Sequence, residues 1–212
     1  MSTVAVVDYG SSNLRSVSKA LLHVAGGKHK IIICDDPEQI LAADRVVIPG
    51  QGAIEQCMTG IKSKGLDQVL KECLKHKPFL GICMGLQTLM EESDENGGVR
   101  GLGIIAGKVV KFQDNVLDAA GNYCKIPHMG WNCVMQARRH PLWNGIASGE
   151  RFYFVHSYYV QPDNAEDITA TTDYTVSFTS AIGRDNLFAV QFHPEKSQRA
   201  GLKLLENFLS WN

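Results

Sequence analysis

The stretch PFLGICMGLQ, residues 78–87, decides how the rest of the chain is interpreted. Residues 79–82 form a short apolar run typical of a buried strand. Cys83 follows, between Gly81 and Gly85, where the strand pattern gives way to a helical one. The next apolar side chains share one face of a predicted helix: Leu86, Leu89 and Met90. A sharp strand-to-helix turn of this kind strains its central residue and requires small neighbours.

Such a turn would place the Cys83 side chain at the carboxyl end of a sheet, beside the unpaired N–H groups that open a helix. The helix dipole favours a thiolate over a thiol, and the thiolate is the nucleophilic form of cysteine. A small buried cysteine between two packing glycines explains this motif equally well. The motif alone therefore leaves both interpretations open.

The first half of the chain alternates strand and helix patterns. Buried strands are predicted at residues 4–7, 31–33, 46–48 and 79–82. A helical stripe from Leu14 to Val24 ends at a Gly-Gly pair, and the sequence DPEQ at 36–39 has the form of a helix start. A further helix is predicted at 66–74. Repeated strand–helix units predict a parallel sheet covered on both faces.

The second half is richer in strands. They are predicted at residues 107–112, 152–160, 168–171, 175–182 and 187–192, with a hairpin turn at 183–186. Ser197 is a predicted cap of the last helix, whose apolar stripe is Leu202, Leu205, Phe208 and Leu209. Without a repeat or linker, the chain is predicted to form one domain over residues 1–212. The predicted fold class is α/β, with a central, mostly parallel but mixed sheet and helices on both faces.

Composition excludes several classes of function. The chain has 212 residues, is 44% hydrophobic and carries a formal charge of −1. Its Lys and Arg residues are scattered, and no apolar run approaches the ~20 residues of a membrane span, so neither a nucleic acid nor a membrane is expected as partner. Its six cysteines contain no CxxC pair, and Cys73 with His76 lacks a second ligand pair. A cytoplasmic protein with no metal and no cofactor is therefore expected.

A cysteine nucleophile needs a general base, and that base needs a group that orients it. His193 follows the strand predicted at 187–192 and lies two residues before Glu195, so both side chains can point the same way. Pro194 stiffens the link. A surface turn more often explains His-Pro-Glu alone, but its pairing with the Cys83 turn favours catalysis. His156 is a second candidate base, without a carboxylate two residues away.

The reaction also requires donors for an oxyanion. The N–H of Met84 is one candidate, and the loop of Gly50, Gln51 and Gly52 is another, because missing side chains allow the backbone to approach a ligand. A tight turn between strand and helix explains the loop equally simply.

The residues at 81–87, 49–52 and 193–195 stand in the order found in class I, triad-type glutamine amidotransferases, which this chain resembles over essentially its whole length. Within the family it is most similar to the glutaminase subunits of imidazole glycerol phosphate synthases, through DYGSSNLRS at 8–16 and PHMGWN at 127–132. The resemblance implies that L-glutamine is hydrolysed through a thioester on Cys83, with His193 and Glu195 as partners. It also implies a set of residues that hold glutamine: Gln87 and Glu95, with the backbone of His156, Ser157 and Tyr158. Glu91 and Glu92 are alternatives to Glu95.

The resemblance further implies a partner, a (βα)8-barrel cyclase subunit. That subunit would use the ammonia to make imidazole glycerol phosphate and an aminoimidazole carboxamide ribotide in histidine biosynthesis. Aromatic and Met residues are enriched in interface cores. The candidate contact residues are Tyr9, Asn13, Met129, Trp131 and Tyr153, for which ordinary core packing is the alternative.

Two residues depart from the family pattern: Gln51, where many members carry a small apolar residue, and Ser12, where many carry glycine. We hypothesise that the loop around Gln51 is not set for catalysis without the partner, so that the isolated chain has low glutaminase activity. Three alternative functions remain: the glutaminase subunit of another ammonia-using synthase, a cysteine hydrolase of the same fold such as a peptidase, and an inactive binding subunit.

Overall fold

The computed structural model describes residues 1–117, 121 and 123–211. The strands in chain order are β1 (Ser2–Val7), β2 (His29–Cys34), β3 (Arg45–Gly50), β4 (Phe79–Cys83), β5 (Met90–Ser93), β6 (Val99–Arg100), β7 (Ile105–Lys111), β8 (His128–Gln136), β9 (Glu150–His156), β10 (Tyr158–Pro162), β11 (Ile168–Asp173), β12 (Ser177–Arg184) and β13 (Leu187–Val190). The α-helices are α1 (Leu14–Ala25), α2 (Pro37–Ala42), α3 (Ile54–Ser63), α4 (Leu66–His76), α5 (Met84–Gln87) and α6 (Gln198–Ser210).

These strands form one mixed sheet with a parallel half. The order β2-β1-β3-β4-β13 is parallel throughout, and the sheet continues through β12, β10, β7, β5 and β6. Strands β11, β8 and β9 branch from β12 as an antiparallel extension. The helices pack in two groups, α1 with α6 and α4 with α2 and α3. The predicted α/β fold class is confirmed.

The parallel half brings three strand ends together. Gly50 at the end of β3 pairs with Cys83 at the end of β4, and Ile82 pairs with Val190 at the end of β13. The chain that leaves each of these ends therefore emerges at the same edge of the sheet, where open α/β sheets bind ligands.

Local signals in the first half are confirmed. Helix α1 ends at Gly26, whose φ of 52° is left-handed, a conformation that glycine adopts without strain. The Asp36 carboxylate accepts a hydrogen bond from the N–H of Glu38 and caps α2, with Pro37 in the first turn. No helix among the described residues is long and apolar enough to cross a bilayer.

The helix predicted after Cys83 is wrong in its length. Helix α5 is a single turn, and Met90 already belongs to strand β5, which pairs with β7 and β6. The carbonyl of Leu89 accepts hydrogen bonds from the N–H groups of Ile104 and Ile105. Tertiary strand pairing therefore overrides the helical spacing of the apolar residues.

Other boundaries also differ from the prediction. The strand predicted at 152–160 is two strands, broken at Ser157. Strand β8 and helix α3 were not predicted. Ser197 precedes α6, but its hydroxyl donates to the carbonyl of His193 and does not cap the helix. In the apolar stripe of α6, Leu204 is fully buried and Leu202 only partly.

Candidate active site

Cys83 occupies a strained turn between β4 and α5. Its φ of 55° and ψ of −105° are unusual for a residue with a side chain. The turn packs tightly against β3: a Cβ at Gly85 would lie 1.9 Å from the carbonyl oxygen of Ile48. A Cβ at Gly81 would lie 2.9 Å from the Cβ of Ala189. Both glycines are thus required by close approach, as the sequence predicted.

His193 and Glu195 lie beyond the end of β13, with side chains that are fully buried. The Nδ1 atom of His193 is 2.9 Å from Oε1 of Glu195. The backbone holds this pair in place, because the N–H of His193 donates to the carbonyl of Tyr153 at 2.9 Å and its carbonyl accepts from the Ser197 hydroxyl at 2.6 Å. The imidazole is therefore oriented by a carboxylate, as a general base requires.

The other ring nitrogen of His193, Nε2, is available for a hydrogen bond with the Cys83 sulfur. Its Nε2 atom is buried and has no nitrogen or oxygen partner in the described part of the chain. Burial alone would lower the pKa of His193, but the negative charge of Cys83, the hydrogen bond between the two side chains, and Glu195 together raise it. The surroundings of His193 thus favour its imidazolium form beside the Cys83 sulfur.

A cavity of about 230 Å³ opens on the Cys83 sulfur. It suits a small molecule the size of an amino acid and is below the range typical of larger ligands. Its lining residues are Gln51, Gly52, Cys83, Met84, Gln87, Glu95, Pro127, Val155, His156, Ser157 and Tyr158. The structure thus brings together the predicted substrate-contact residues and three of the four predicted oxyanion residues.

Gly50, the fourth predicted oxyanion residue, is not among the residues that line the cavity. A Cβ there would lie 2.1 Å from the Tyr9 hydroxyl oxygen and 2.7 Å from the Met84 Cβ. Gly52 has a φ of 98°, which favours glycine. The Gln51 amide donates to the Ser12 hydroxyl, so the two residues that depart from the family pattern are paired with each other.

Among the three candidate carboxylates, Glu95 reaches the cavity. Its Oε2 accepts a hydrogen bond of 3.0 Å from the N–H of Ile54 at the start of α3. Glu91 instead accepts from the N–H of Gly107, and Glu92 forms an ion pair with Lys108. Glu95 is thus held at a helix N-terminus with its carboxylate at the mouth of the site.

His156 cannot serve as the alternative base, because both of its ring nitrogens are engaged. Its Nδ1 donates to the carbonyl of Tyr158 at 2.7 Å, and its Nε2 lies 2.9 Å from Nδ1 of His128. Burial lowers the pKa of His156 to about 3. The side chain of His156 therefore has a structural role in the site.

One residue of the site was missed by sequence reasoning. Gln191 is fully buried, and its Nε2 lies 3.7 Å from the Cys83 sulfur. Its Oε1 accepts from Nε2 of Gln87. Its position two residues before His193, on the same side of an extended chain, is the signal that could have found it.

Two of the expected contact residues are buried inside the chain, which corrects that expectation. Tyr9 is 4% exposed, and its hydroxyl donates to the carbonyl of Pro49 at 2.6 Å. Asn13, also 4% exposed, donates to Glu195 at 3.4 Å. Through these hydrogen bonds Tyr9 holds strand β3 and Asn13 holds the triad glutamate, and both offer almost no surface to a partner.

The other three remain accessible. Met129 is 66% and Trp131 38% exposed, and Tyr153 is half-buried. The rings of Trp131 and Tyr153 are 6.1 Å apart, and the Lys196 ammonium lies 5.9 Å from the centre of the Tyr153 ring. We call Met129, Trp131 and Tyr153 the aromatic face. A larger cavity of about 580 Å³ adjoins Trp131, but Cys83 does not line it.

Comparison with known proteins agrees with this geometry. Residues 5–211 match the family model of the class-I glutamine amidotransferases. The chain is 57% identical over 212 residues to the "Imidazole glycerol phosphate synthase subunit HisH" of Nitrosococcus oceani, covering 100% of this chain and 99% of that one. It is 56% identical to the protein of the same name from Aromatoleum aromaticum, with the same coverage.

Among solved structures, a glutamine amidotransferase from Thermotoga maritima aligns with a TM-score of 0.66. The alignment covers 94% of this chain and 78% of that one at 16% identity, so it supports the fold alone. The family match and the full-length relatives, together with the cysteine, histidine and glutamate at the strand ends, lead to one conclusion: this chain belongs to the class-I glutamine amidotransferase family.

Proposed function

We propose that this chain is the glutaminase subunit of imidazole glycerol phosphate synthase. It hydrolyses L-glutamine to glutamate and ammonia and delivers the ammonia to a (βα)8-barrel cyclase subunit for L-histidine biosynthesis. The observation that carries the proposal is the juxtaposition of Cys83, His193 and Glu195 at an amino-acid-sized cavity. Relatives that match over their whole length and bear that subunit's name support it.

The reaction follows from the state of the triad. The Cys83 thiolate attacks the side-chain amide carbon of glutamine, and the N–H groups of Met84 and of the loop 50–52 donate hydrogen bonds to the developing oxyanion. Because the pKa of His193 is raised, its imidazolium is available to protonate the departing ammonia. The resulting neutral imidazole then takes a proton from water, which attacks the thioester and releases glutamate.

The cavity also suits the amino-acid end of the substrate. The Glu95 carboxylate provides a negative charge for the α-ammonium group, and the backbone of residues 156–158 lines the opposite wall. Both N–H groups of the Gln87 amide are used within the chain, by the Tyr158 carbonyl and by Gln191, so only its oxygen can contact the substrate.

Ammonia is a nucleophile only while it is unprotonated, so release into water would waste it. The aromatic face is proposed as the surface that docks the cyclase, because exposed Met and Trp side chains are typical of interface cores. No nucleic-acid partner is proposed, in keeping with a net charge of −1, and neither a membrane partner nor a cofactor is proposed. Six free cysteines support a cytoplasmic location, and the single continuous sheet supports one domain over residues 1–212.

We also propose that the isolated chain has low glutaminase activity. The hydrogen bond from Gln51 to Ser12 ties the oxyanion loop to the segment before α1. A partner that contacts the segment before α1 would then shift the backbone of the oxyanion loop into the position needed for catalysis. Glutamine hydrolysis by the purified chain, measured with and without the cyclase, tests this idea, and equal rates would end it.

The main test compares two nitrogen sources in the complex with the cyclase. Cys83→Ala should abolish glutamine-dependent synthesis, while ammonia-dependent synthesis persists, because added ammonia bypasses the nucleophile. Cys133→Ala, at an exposed cysteine, is the matched control and should leave both activities intact. A glutamine-dependent loss below about tenfold, only ~1.4 kcal/mol of barrier, would place the nucleophile elsewhere.

The same experiment separates the alternatives. Glutamine hydrolysis that is stimulated by another synthase, and not by the cyclase, would identify a different amidotransferase. Peptide cleavage without release of ammonia from glutamine would identify a cysteine hydrolase of the same fold. Ammonia-dependent synthesis without any glutamine-dependent synthesis in the complex that retains Cys83 would identify a non-catalytic subunit.

A further inference from the structure

Gln191 touches the nucleophile from a position that leaves it little freedom. It directly follows β13, its side chain is fully buried, and its backbone N–H donates to the carbonyl of Ser180 at 2.9 Å. Its Nε2 atom is 3.7 Å from the Cys83 sulfur, within the distance of an N–H to sulfur hydrogen bond. An amide can present either its N–H or its oxygen to that sulfur, and only the N–H would stabilise a negative charge there.

The surrounding hydrogen bonds decide the orientation. The carbonyl oxygen of Tyr158 can only accept, so the Gln87 atom 3.1 Å from it must be the amide nitrogen. The same nitrogen lies 3.1 Å from one terminal atom of Gln191, which must therefore be the oxygen. The NH2 group of Gln191 is left facing Cys83.

Two histidines, His156 and His128, extend this hydrogen-bond network beyond the carbonyl of Tyr158. The carbonyl of Tyr158 also accepts a hydrogen bond from the Nδ1–H of His156, so Nε2 of that ring has no proton. This Nε2 therefore accepts a hydrogen bond from the Nδ1–H of His128. The Nε2 of His128 in turn accepts from the Asn132 amide at 3.3 Å. Burial lowers the pKa of His128 to about 4 and that of His156 to about 3, so both rings are neutral near pH 7. Each ring thus has one donor and one acceptor, and the direction of the chain is fixed.

We propose that Gln191 is a further catalytic residue, whose amide N–H donates a hydrogen bond to the Cys83 thiolate. This inference rests on the proposed glutaminase function. A hydrogen bond to an anion is stronger than one to a neutral group, so the amide favours the thiolate over the thiol. The carbonyl of Tyr158 and the Gln87 amide act as positioning groups, because they hold Gln191 in the orientation that donates.

The same contact serves the second half of the reaction. Water forms a bond to the thioester carbon, its proton passes to His193, and the bond from carbon to the Cys83 sulfur breaks with its electron pair remaining on sulfur. The N–H of Gln191 receives that negative charge as it forms. Its contribution is therefore made at both ends of the catalytic cycle.

The test measures the thiolate directly. The enzyme in complex with its cyclase is alkylated with iodoacetamide from pH 5 to 10, and modification of the Cys83 peptide is followed by mass spectrometry. Gln191→Met keeps the side-chain length and removes the donor. The pH midpoint of Cys83 alkylation should rise by about one unit, which corresponds to a tenfold smaller thiolate fraction below the midpoint. The exposed Cys133 is an internal reference whose profile should not move.

Two further variants complete the test. Ser180→Ala alters a fully buried side chain on the neighbouring strand β12 and should leave the Cys83 profile unchanged. Gln191→Glu keeps the size and an acceptor for Gln87, but its carboxylate cannot donate to sulfur, so it should raise the midpoint at least as much as Gln191→Met. It also covers the case in which Gln191→Met fails to fold, as judged by thermal unfolding.

An unchanged Cys83 midpoint in a folded Gln191→Met or Gln191→Glu variant would overturn the proposal. A shift of the same size in Ser180→Ala would also overturn it, since any buried change would then suffice. Alkylation requires neither glutamine nor an acceptor. A shift without any glutaminase activity would support the contact and refute the proposed function, whereas activity without a shift would do the reverse.

Discussion

Replacing Glu195 by Gln isolates the contribution of one buried carboxylate to the reaction. Glu195 lies 2.9 Å from Nδ1 of His193, and both side chains are fully buried, so solvent does not screen the pair. The Asn13 amide is the only other donor described at the same oxygen. Glu195→Gln preserves the shape of the side chain while it removes the charge.

The size of the effect can be worked from this geometry. A hydrogen bond to a charged group contributes about 1.5–3 kcal/mol, and full burial places this one at the upper end, about 2–3 kcal/mol. Each 1.36 kcal/mol is a factor of ten, so kcat/KM for glutamine should fall about 30- to 150-fold. The assay is glutamate release by the complex with the cyclase.

A pH profile distinguishes this role from a merely structural one. Burial lowers the pKa of His193, whereas Cys83 and Glu195 raise it and prevail, so the imidazolium persists to higher pH than in free histidine. Removal of the Glu195 charge lowers that pKa, and the imidazolium is then lost at lower pH. The alkaline limb of glutamine-dependent activity should therefore move toward lower pH in Glu195→Gln.

The control is Glu206→Gln, the same change at an exposed residue paired with Lys203 on α6. It should alter neither rate nor profile. Ammonia-dependent synthesis should survive in both variants and thus shows that the cyclase remains active. A loss below about threefold in Glu195→Gln, or an alkaline limb that does not move, would refute the reasoning.

Three further predictions concern the fold and the partner. Gly85→Ala places a Cβ 1.9 Å from the carbonyl oxygen of Ile48 and should lower the free energy of unfolding in urea by about 1–3 kcal/mol, together with glutaminase activity; an unchanged midpoint would contradict the close packing of the turn. Asp36→Ala removes the cap of α2 and should cost about 1 kcal/mol in the same assay without changing activity. Met129→Ala should weaken cyclase binding by at least fivefold in titration calorimetry, whereas Met135→Ala, at an exposed methionine further along β8, should not; equal effects would argue against the aromatic face.

The local features of the site were predictable because they depend on few neighbouring residues. A cysteine between two glycines at the end of an apolar run indicates a tight turn, and the left-handed φ of Cys83 fits it. The spacing of His193 and Glu195 places two side chains on the same side of an extended segment. Both predictions rest on backbone geometry over five residues or fewer.

The errors share the opposite cause. The stretch after Gln87 has helical spacing, but Met90 joins a strand because β7 and β6 offer it hydrogen-bond partners from elsewhere in the chain. Strand β8 escaped prediction since Gly130 and Asn132 have low strand propensity, and only its pairing with β9 and β11 stabilises it. Tyr9 was a candidate contact residue with core packing as its alternative, and it is buried because its hydroxyl donates to the carbonyl of Pro49 on the neighbouring strand β3.

Short-range backbone preference and side-chain chemistry are enough to specify the class of fold, the reactive turn and the histidine–glutamate pair, so all three were predictable from the residues alone. The folded chain was needed to show that the ends of β3, β4 and β13 meet, since their meeting depends on the order of parallel strands in the sheet. It also decided which way the Gln191 amide faces. That orientation follows from hydrogen bonds to Gln87 and Tyr158, residues that are distant in the chain and adjacent only after folding.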